Sequence, residues 1–415
     1  MDGRIVGILI GAALLVAAAW LAGTLAWGSA RAAVRRRLVA AEKRQAFRSR
    51  VRSTLQRARA SQSSLRAWEG WKQLEVVGLH DETPDCRSLL LKPTDGRPPA
   101  RFEPGQYLSI RVQPSPDEPP LVRCYSLSQK PAGPHYRITV KRIDASACGA
   151  EGPGVASTFL HTRVAVGDKL ECQAPQGGFF LDPGETGPVV LVGAGIGVTP
   201  LVSMAQSLRP ERHAGSCFFA GFRNSMHHPF RAEFARLEAD GLPMVDTSYS
   251  RPAPADKLGR DYRHRGHVSL QRLREVLPSN NFRFYLCGPP AMMHAIVPGL
   301  LEWGVPTEDI RYEAFGPASV DAVRTVADIE REYRVEFQSS GKTASWNGAQ
   351  GSLLELAEQN GVPLRFGCRA GSCGQCAVSV AEGDIQHVKP PGVPLGDREC
   401  LACVGVPAGD VVLEA

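Results

Sequence analysis

Residues 368–376 read CRAGSCGQC, a run in which three cysteines are spaced C-x4-C-x2-C. Two further cysteines, Cys400 and Cys403, follow later in the chain. Four thiolates in this arrangement are the ligand set of a [2Fe–2S] cluster, whereas a zinc site would favour paired C-x2-C spacings. The small residues of the loop let its backbone N–H groups point at the sulfurs. The run therefore predicts an iron–sulfur module with Cys368, Cys373 and Cys376 as ligands, and with Cys400 or Cys403 as the fourth.

The sequence around this loop indicates the fold of the module. Residues 333–338 alternate as a strand, residues 352–359 read as a helix, and residues 374–380 read as another strand. This pattern resembles the β-grasp fold of plant-type ferredoxins, and we expect it over residues 332–415. In that family the closing strand reads Leu-Thr-Cys or Leu-Ala-Cys, so the resemblance implies Cys403 as the fourth ligand. The other cysteines are scattered and odd in number, which favours a reducing compartment over disulfides.

Residues 71–184 consist of short apolar runs separated by Gly and Pro, which predicts an antiparallel β-barrel. Candidate strands are residues 74–79, 88–92, 107–112, 136–142 and 169–174. The run Arg123–Ser126 (RCYS) ends a strand, and Gly154–Ser157 (GVAS) opens a short helix. An Arg fork suits a diphosphate, a Tyr packs on a flat ring, a Ser can bond to ring heteroatoms, and a helix start attracts anions. The alternative is that Tyr125 is a core residue and Arg123 a surface cation.

Residues 185–318 show a second kind of pattern. A buried strand at residues 188–192 leads into GAGIGVTP, residues 193–200, and then into a predicted helix at residues 201–208. A strand, a Gly-rich turn and a helix bring backbone N–H groups to a phosphate, although the spacing differs from G-x-G-x-x-G. Another apolar strand at residues 282–286 runs into CGPP, residues 287–290. A third motif, YEAFGP, follows at residues 312–317.

In their order along the chain, these motifs resemble the ferredoxin–NADP reductase superfamily, especially the reductase half of flavohaemoglobins and the reductases of oxygenases. The barrel motifs that carry the resemblance are FEPGQY (102–107), RCYSL (123–127), YRITVKR (136–142), GVASTFL (154–160) and VGD (166–168). The resemblance implies FAD, with FMN as the alternative because some relatives with this domain order use it. The residues before the barrel leave no room for a globin domain, so we do not expect the haem reaction of flavohaemoglobins.

The resemblance also implies residue roles. For the flavin it implies Arg123 on the pyrophosphate, Tyr125 and Ser126 at the isoalloxazine, Gly154 and Ser157 at the phosphates, and Tyr107 and Lys141 nearby. For the nicotinamide nucleotide it implies Gly193, Gly195, Gly197, Thr199, Pro200, Cys287, Gly288 and Pro289, with Phe315 beside the flavin ring. Arg223 and the Ser250-Arg251 pair could receive the 2′-phosphate of NADPH. Arg also occurs at such positions in NADH-dependent relatives, so NADH or NADPH remains open, with NADH favoured.

The N-terminus predicts a membrane anchor. Residues 5–27 carry no charge, and as a helix with a rise of ~1.5 Å per residue they would span about 34 Å, enough for a bilayer core. Residues 28–70 carry twelve cations against two anions, which would keep this side in the cytoplasm. We expect an anchor in residues 1–30 and a basic helical stalk in residues 31–70, at the inner (cytoplasmic) membrane with the soluble domains facing the cytoplasm. A cleaved signal peptide is the alternative.

The net charge of +6 combines two opposite parts. Residues 28–70 contribute +10 and residues 1–27 contribute zero, so residues 71–415 carry −4. This division disfavours a nucleic-acid binder with basic charge all round. The predicted fold class is therefore multidomain, with a transmembrane helix, an antiparallel β-barrel flavin domain, an α/β parallel-sheet nucleotide domain, a linker at residues 319–331 and a β-grasp ferredoxin domain.

The order of the predicted cofactors indicates the function. A nicotinamide donates a hydride, a [2Fe–2S] cluster accepts one electron at a time, and a flavin between them connects the two. We expect an NAD(P)H-dependent reductase that needs no catalytic Ser, His or Asp constellation and passes electrons to a membrane-associated oxygenase, hydroxylase or desaturase. The alternative is a respiratory NADH dehydrogenase component that reduces quinone, but sodium-pumping enzymes of that type place the ferredoxin module before the flavin domain.

Overall fold

The computed structural model describes residues 68–115, 120–143, 154–241, 243–313, 315, 332–348, 350–367, 369, 371, 373–388, 391, 393 and 395–415. The predicted anchor, most of the predicted stalk, the predicted linker and Cys368 lie outside the described residues. Within the part of the chain that is described, no helix is both long and apolar enough to cross a membrane.

The flavin-type part is a six-stranded antiparallel sheet in the order β4-β3-β6-β1-β2-β5. Its elements are β1 (Lys72–Thr83), β2 (Cys86–Pro93), β3 (Tyr107–Val112), β4 (Leu121–Ser126), β5 (Tyr136–Lys141), helix α1 (Val155–Thr162) and β6 (Lys169–Cys172). The two outer strands meet through the bridge between Leu127 and Ile138 and through the Ser128 N–H, which donates to the Arg137 carbonyl at 2.9 Å. The sheet is thereby closed into a barrel.

The side chains that alternate toward the interior of this sheet form its core. Leu89, Leu91, Leu108 and Ile110 are fully buried there. The candidate strands at residues 74–79, 88–92, 107–112, 136–142 and 169–174 all fall on strands, although β6 ends at Cys172. The strand predicted to end with the run Arg123–Ser126 is β4, which spans Leu121–Ser126 and ends at Ser126.

The nucleotide-type part is a six-stranded parallel sheet in the order β10-β9-β8-β7-β11-β12. Its elements are β7 (Val189–Ala194), α2 (Val198–Ala205), α3 (Pro210–His213), β8 (Cys217–Phe222), α4 (Arg231–Asp240), β9 (Met244–Tyr249), β10 (His264–Arg265), α5 (Leu270–Val276), β11 (Arg283–Cys287), α6 (Pro290–Glu302) and β12 (Ile310–Glu313). The predicted helix at residues 201–208 is wrong in its bounds. The Gly-rich turn closes as one 3₁₀ turn, Gly195–Gly197, which runs directly into α2.

The topology of this sheet creates a crevice at one edge. From β7 the chain passes to β8 on one side, and it later returns to β11 on the other side of β7. The strand order therefore reverses between β7 and β11. In open parallel sheets, ligands bind outside the carboxyl ends of the strands at such a switch point.

The C-terminal part is a mixed five-stranded sheet, β14-β13-β19-β15-β17, with a separate pair β16-β18. Its elements are β13 (Tyr333–Phe337), β14 (Lys342–Trp346), α7 (Leu353–Gln359), β15 (Ala377–Glu382), β16 (Ile385–His387), β17 (Glu399–Leu401), β18 (Gly405–Pro407) and β19 (Val411–Leu413). Strands β13 and β19 are parallel, and α7 begins with a capping box formed by Ser352 and Glu355. The predicted strand at residues 374–380 begins later, because Gly374 has a φ of +74° and turns the chain first.

Candidate functional site

The end of strand β4 presents an unsatisfied hydroxyl. Ser126 is 4% exposed, and its Oγ has no hydrogen-bond partner among the described residues. Leaving a buried hydroxyl unpaired costs about 1–3 kcal/mol, and a ring heteroatom placed here would remove that cost. The neighbouring Tyr125 is half-buried against the barrel core, and desolvation raises the pKa of its phenol above the ordinary value. The unpaired Ser126 hydroxyl is the feature that fits a bound flavin ring.

Arg123 lies where the barrel meets the iron–sulfur module. Its Nη1 donates to the Val122 carbonyl at 2.8 Å, and its guanidinium lies 5.8 Å from the centre of the Phe366 ring. The same ring faces the guanidinium of Arg369, in the cysteine loop, at 3.9 Å. The alternative in which Arg123 is only a surface cation does not fit this half-buried position between two modules.

The other residues predicted to bind the flavin make contacts with neighbouring residues of the barrel part. The Ser157 hydroxyl accepts from the Ile143 N–H at 3.2 Å and donates to the Gly154 carbonyl at 2.8 Å. Helix α1 therefore offers an anion its first backbone N–H groups instead of this hydroxyl. Lys141 pairs with Asp85 at 3.4 Å on the surface. Tyr107 is buried against Gly177, whose φ is +120° and where a Cβ would lie 2.6 Å from the ring.

The two nucleotide motifs meet at the switch point. Gly193 lies beside Cys287 in the register of β7 and β11. A Cβ added at Gly197 would lie 2.4 Å from the Cys287 carbonyl oxygen and 2.7 Å from the Gly288 Cα, so only glycine allows these two backbones to touch. Gly195, with a φ of +54°, makes the left-handed turn between β7 and α2. The first turn of α2 and the start of α6 thus converge on one crevice.

The remaining residues predicted for the nucleotide and the flavin ring lie on or next to elements of the nucleotide-type part. The Thr199 hydroxyl donates to the Ile196 carbonyl at 2.8 Å and stabilises the turn, and Pro200 is buried in α2. Pro289 is the N-cap of α6. Phe315 is 40% exposed and follows the end of β12.

Two exposed arginines lie farther along the same sheet edge. They are brought together because the Arg251 N–H donates to the Arg223 carbonyl at 2.8 Å, just beyond β8 and β9.

The cysteine loop brings predicted cluster ligands together. Cys373, Cys376 and Cys403 are buried, and the sulfurs of Cys376 and Cys403 are 3.1 Å apart. The Gly371 N–H donates to the Cys403 sulfur at 3.3 Å, as expected for a thiolate ligand. The described residues do not by themselves complete a metal site of three or more ligands, and Cys368 is not among them. The paired sulfurs fit an iron-bound pair.

Cys400 lies in a different environment. It faces Val378 across the β15–β17 pair, and it is 1% exposed in the core of the sheet. Burial raises the pKa of its thiol to about 12. These observations favour Cys403 over Cys400 as the fourth ligand.

Sequence reasoning missed Phe366 and its contact with Arg123. No motif joins two residues so far apart in the chain, and the sole signal was an aromatic residue just before the cysteine run.

Residues 335–408 match the model of the 2Fe-2S iron-sulfur cluster binding domain, and residues 191–297 match that of the oxidoreductase NAD-binding domain. A flavohemoprotein of Rhizobium meliloti (strain 1021) is 38% identical over 253 residues, which cover 60% of this chain and 62% of the relative. The chain therefore spans about three-fifths of the length of the curated relatives it matches.

Two solved structures are also similar. The flavohem-like FAD/NAD binding domain of nitric oxide dioxygenase from Vibrio cholerae O1 biovar El Tor is 35% identical, covers 59% of this chain and 99% of its own, and has a TM-score of 0.52. Phthalate dioxygenase reductase is 24% identical, covers 83% of this chain and 98% of its own, and has a TM-score of 0.50. At this identity the second likeness shows the fold alone.

The fold and the site define a flavin- and nucleotide-binding oxidoreductase that carries an iron–sulfur domain. The chain belongs to the ferredoxin–NADP reductase superfamily, with a flavohaem-like FAD/NAD-binding part followed by a C-terminal 2Fe-2S domain. The family predicted from the motifs is thereby confirmed.

The fourth ligand can be tested by two serine substitutions. Cys403→Ser should lose the cluster, because the oxygen is a harder and less favourable ligand than the thiolate. Cys400→Ser is the matched control and should retain it. Iron and acid-labile sulfide per chain, with the visible absorption spectrum, measure the outcome. Cluster loss in Cys400→Ser together with retention in Cys403→Ser would reverse the assignment.

Proposed function

We propose that this chain is an NAD(P)H-dependent reductase that uses FAD and a [2Fe–2S] cluster to deliver single electrons to a partner protein. The observation that carries the proposal is that Arg123 and Arg369 both approach the Phe366 ring, with guanidinium carbons 5.8 Å and 3.9 Å from its centre. This contact brings the end of β4, which we call the flavin strand because it carries the predicted flavin residues, next to the loop that holds the cluster cysteines. Since electron transfer requires the two centres to be close, this contact supports transfer from flavin to cluster.

The residues of the chain have distinct parts in this function. When bound, the nicotinamide supplies a hydride, the flavin divides the electron pair, and the cluster takes up electrons one at a time. The glycine contact at Gly197 and Cys287 shapes the nucleotide crevice, and the Gly-rich turn that leads into α2 would hold a phosphate of the nucleotide. Ser126 would donate to a bound flavin ring, and Arg123 would neutralise its diphosphate. Cys368, Cys373, Cys376 and Cys403 hold the cluster.

FAD is proposed rather than FMN. The support is the similar Vibrio cholerae domain, which is 35% identical and is named as an FAD/NAD binding domain. NADH is proposed as the preferred nucleotide, with NADPH as the alternative favoured by the paired arginines 223 and 251.

The partner is proposed to be an oxygenase, hydroxylase or desaturase. The name of phthalate dioxygenase reductase links that protein to an oxygenase, and its fold is shared over most of this chain. The module at residues 332–415 carries ten acidic and six basic residues, a net charge of −4. An acidic surface suits a basic patch on a redox partner and speeds the encounter.

The N-terminal segment is proposed to anchor the chain at the cytoplasmic membrane. The support is the uncharged run at residues 5–27 and the twelve cations that follow it. A membrane-associated partner would then diffuse in the same plane as the reductase.

Anaerobic stopped-flow mixing with NADH or NADPH tests the reductase. Flavin absorbance should fall first and cluster absorbance second, with NADH faster than NADPH. Cytochrome c, a general one-electron acceptor, should then be reduced by the unsubstituted protein and not by the cluster-free Cys403→Ser variant. If neither nucleotide bleaches the flavin, the proposal is wrong.

Deletion of residues 1–30 tests the anchor. The full chain should sediment with membranes and resist a high-salt wash, because apolar insertion is insensitive to screening. The deleted chain should be released by the same wash. Full-length protein in the soluble fraction would contradict the anchor, and a new N-terminus near residue 32 would show signal-peptide cleavage.

A further inference from the structure

A closed ring of polar contacts crosses the boundary between the flavin barrel and the nucleotide domain. We call it the latch ring. Its members on the barrel are Glu82, Ser88, Ser128, Arg137 and Thr139, and its members on the nucleotide domain are Phe230 and Glu233.

The barrel half of the ring is a chain of buried hydroxyl groups. Ser88 Oγ donates to Glu82 Oε1 at 2.7 Å and lies 2.8 Å from the Thr139 hydroxyl. That hydroxyl lies 2.9 Å from Ser128 Oγ, which also accepts from Arg137 Nε at 3.2 Å. Because the three hydroxyl residues are at most 3% exposed, these bonds are shielded from water and reinforce one another.

Helix α4 closes the ring from the other domain. Arg137 Nη1 donates to Glu233 Oε1 at 2.6 Å, and its guanidinium lies 4.9 Å from the centre of the Phe230 ring. The Phe230 N–H donates to Glu82 Oε2 at 3.1 Å. The Arg137 and Glu233 side chains are only 13% and 17% exposed, so this ion pair is partly desolvated.

Phe230 has an unusual backbone conformation, which its hydrogen bond to Glu82 explains. Its φ is +62°, in the left-handed region, although it is bulky and 1% exposed. Such a conformation persists where the surroundings over-determine it, often at functional positions. Here it directs the N–H toward Glu82 just before α4 begins.

The ring is joined to the strand that carries the predicted flavin residues. Ser128 follows Ser126 by two positions, and the next carbonyl, that of Gln129, accepts from Ser203 Oγ of α2 at 2.6 Å. The end of the flavin strand is thus attached to α4 through Arg137 and to α2 through Ser203. Helix α2 is the helix that follows the Gly-rich turn of the nucleotide site.

We propose that the latch ring fixes the nucleotide domain over the flavin strand, with Arg137 and Glu233 as positioning residues for hydride transfer. This inference rests on the proposed function. Reacting groups must be held at near-contact distance, and a small displacement from a distant change can cost a large part of the rate. Removing one member of a partly buried ion pair also leaves the other charge without compensation.

Glu233→Ala tests the proposal against a matched control. Glu238→Ala removes a carboxylate from the same helix, where it pairs with Arg263 at 3.1 Å within the nucleotide domain and at the exposed surface. The limiting rate of flavin reduction by NADH should fall about tenfold in Glu233→Ala. It should stay within about twofold in Glu238→Ala, because exposed pairs contribute little. Reduction of the flavin by dithionite should be the same in all three proteins.

Amide hydrogen exchange supplies a readout that needs no nucleotide. Residues 228–234 should exchange faster in Glu233→Ala and in Glu82→Gln than in Glu238→Ala, because the latch ring protects the start of α4. Glu82→Gln approaches the ring from the barrel side, so it tests the proposal even if Glu233→Ala does not fold.

The outcomes separate this inference from the proposed function. Hydride-transfer rates and exchange in Glu233→Ala and Glu82→Gln that match those of Glu238→Ala would overturn the latch. If the unsubstituted protein is not reduced by either nucleotide, the proposed function fails. The exchange comparison then still decides whether the ring holds the two domains together.

Discussion

The contact between Gly197 and the Cys287 carbonyl is the constraint on which the proposed nucleotide site depends. A side chain at residue 197 would overlap that carbonyl, with only 2.4 Å between Cβ and oxygen. The absence of a side chain lets the turn after β7 rest on the end of β11, at the point where the strand order reverses. The start of α2 is thereby aimed into the same crevice as the start of α6. A larger residue would separate the two motifs and open the site.

The latch ring and the Phe366 contact extend this arrangement in two directions. The flavin strand is held to the nucleotide domain through Arg137, and its Arg123 reaches the iron–sulfur module at Phe366. One strand end is therefore mechanically connected to both neighbouring modules. Such a connection suits a chain that must keep a donor and an acceptor close to one flavin, since both transfers depend on distance.

Local patterns in the sequence predicted the modules and most motif positions. The Gly-rich turn, CGPP and the cysteine run each have a spacing that short-range chemistry explains, and the structure places the first two side by side. Contacts between distant residues could not be predicted, because nothing in the sequence pairs Arg123 with Phe366 or Arg137 with Glu233. The predicted bounds near residues 201–208 and 374–380 were wrong, because glycine turns moved the ends of the elements.

The nucleotide crevice is tested most directly by Gly197→Ala, compared with Gly409→Ala, where an added Cβ meets nothing within 4 Å. Anaerobic flavin reduction by NADH and by dithionite should be measured in both variants. Reduction by NADH should fall by at least about tenfold in Gly197→Ala alone, while dithionite still reduces flavin and cluster. Unchanged reduction of Gly197→Ala by NADH would contradict the placement of the nucleotide site.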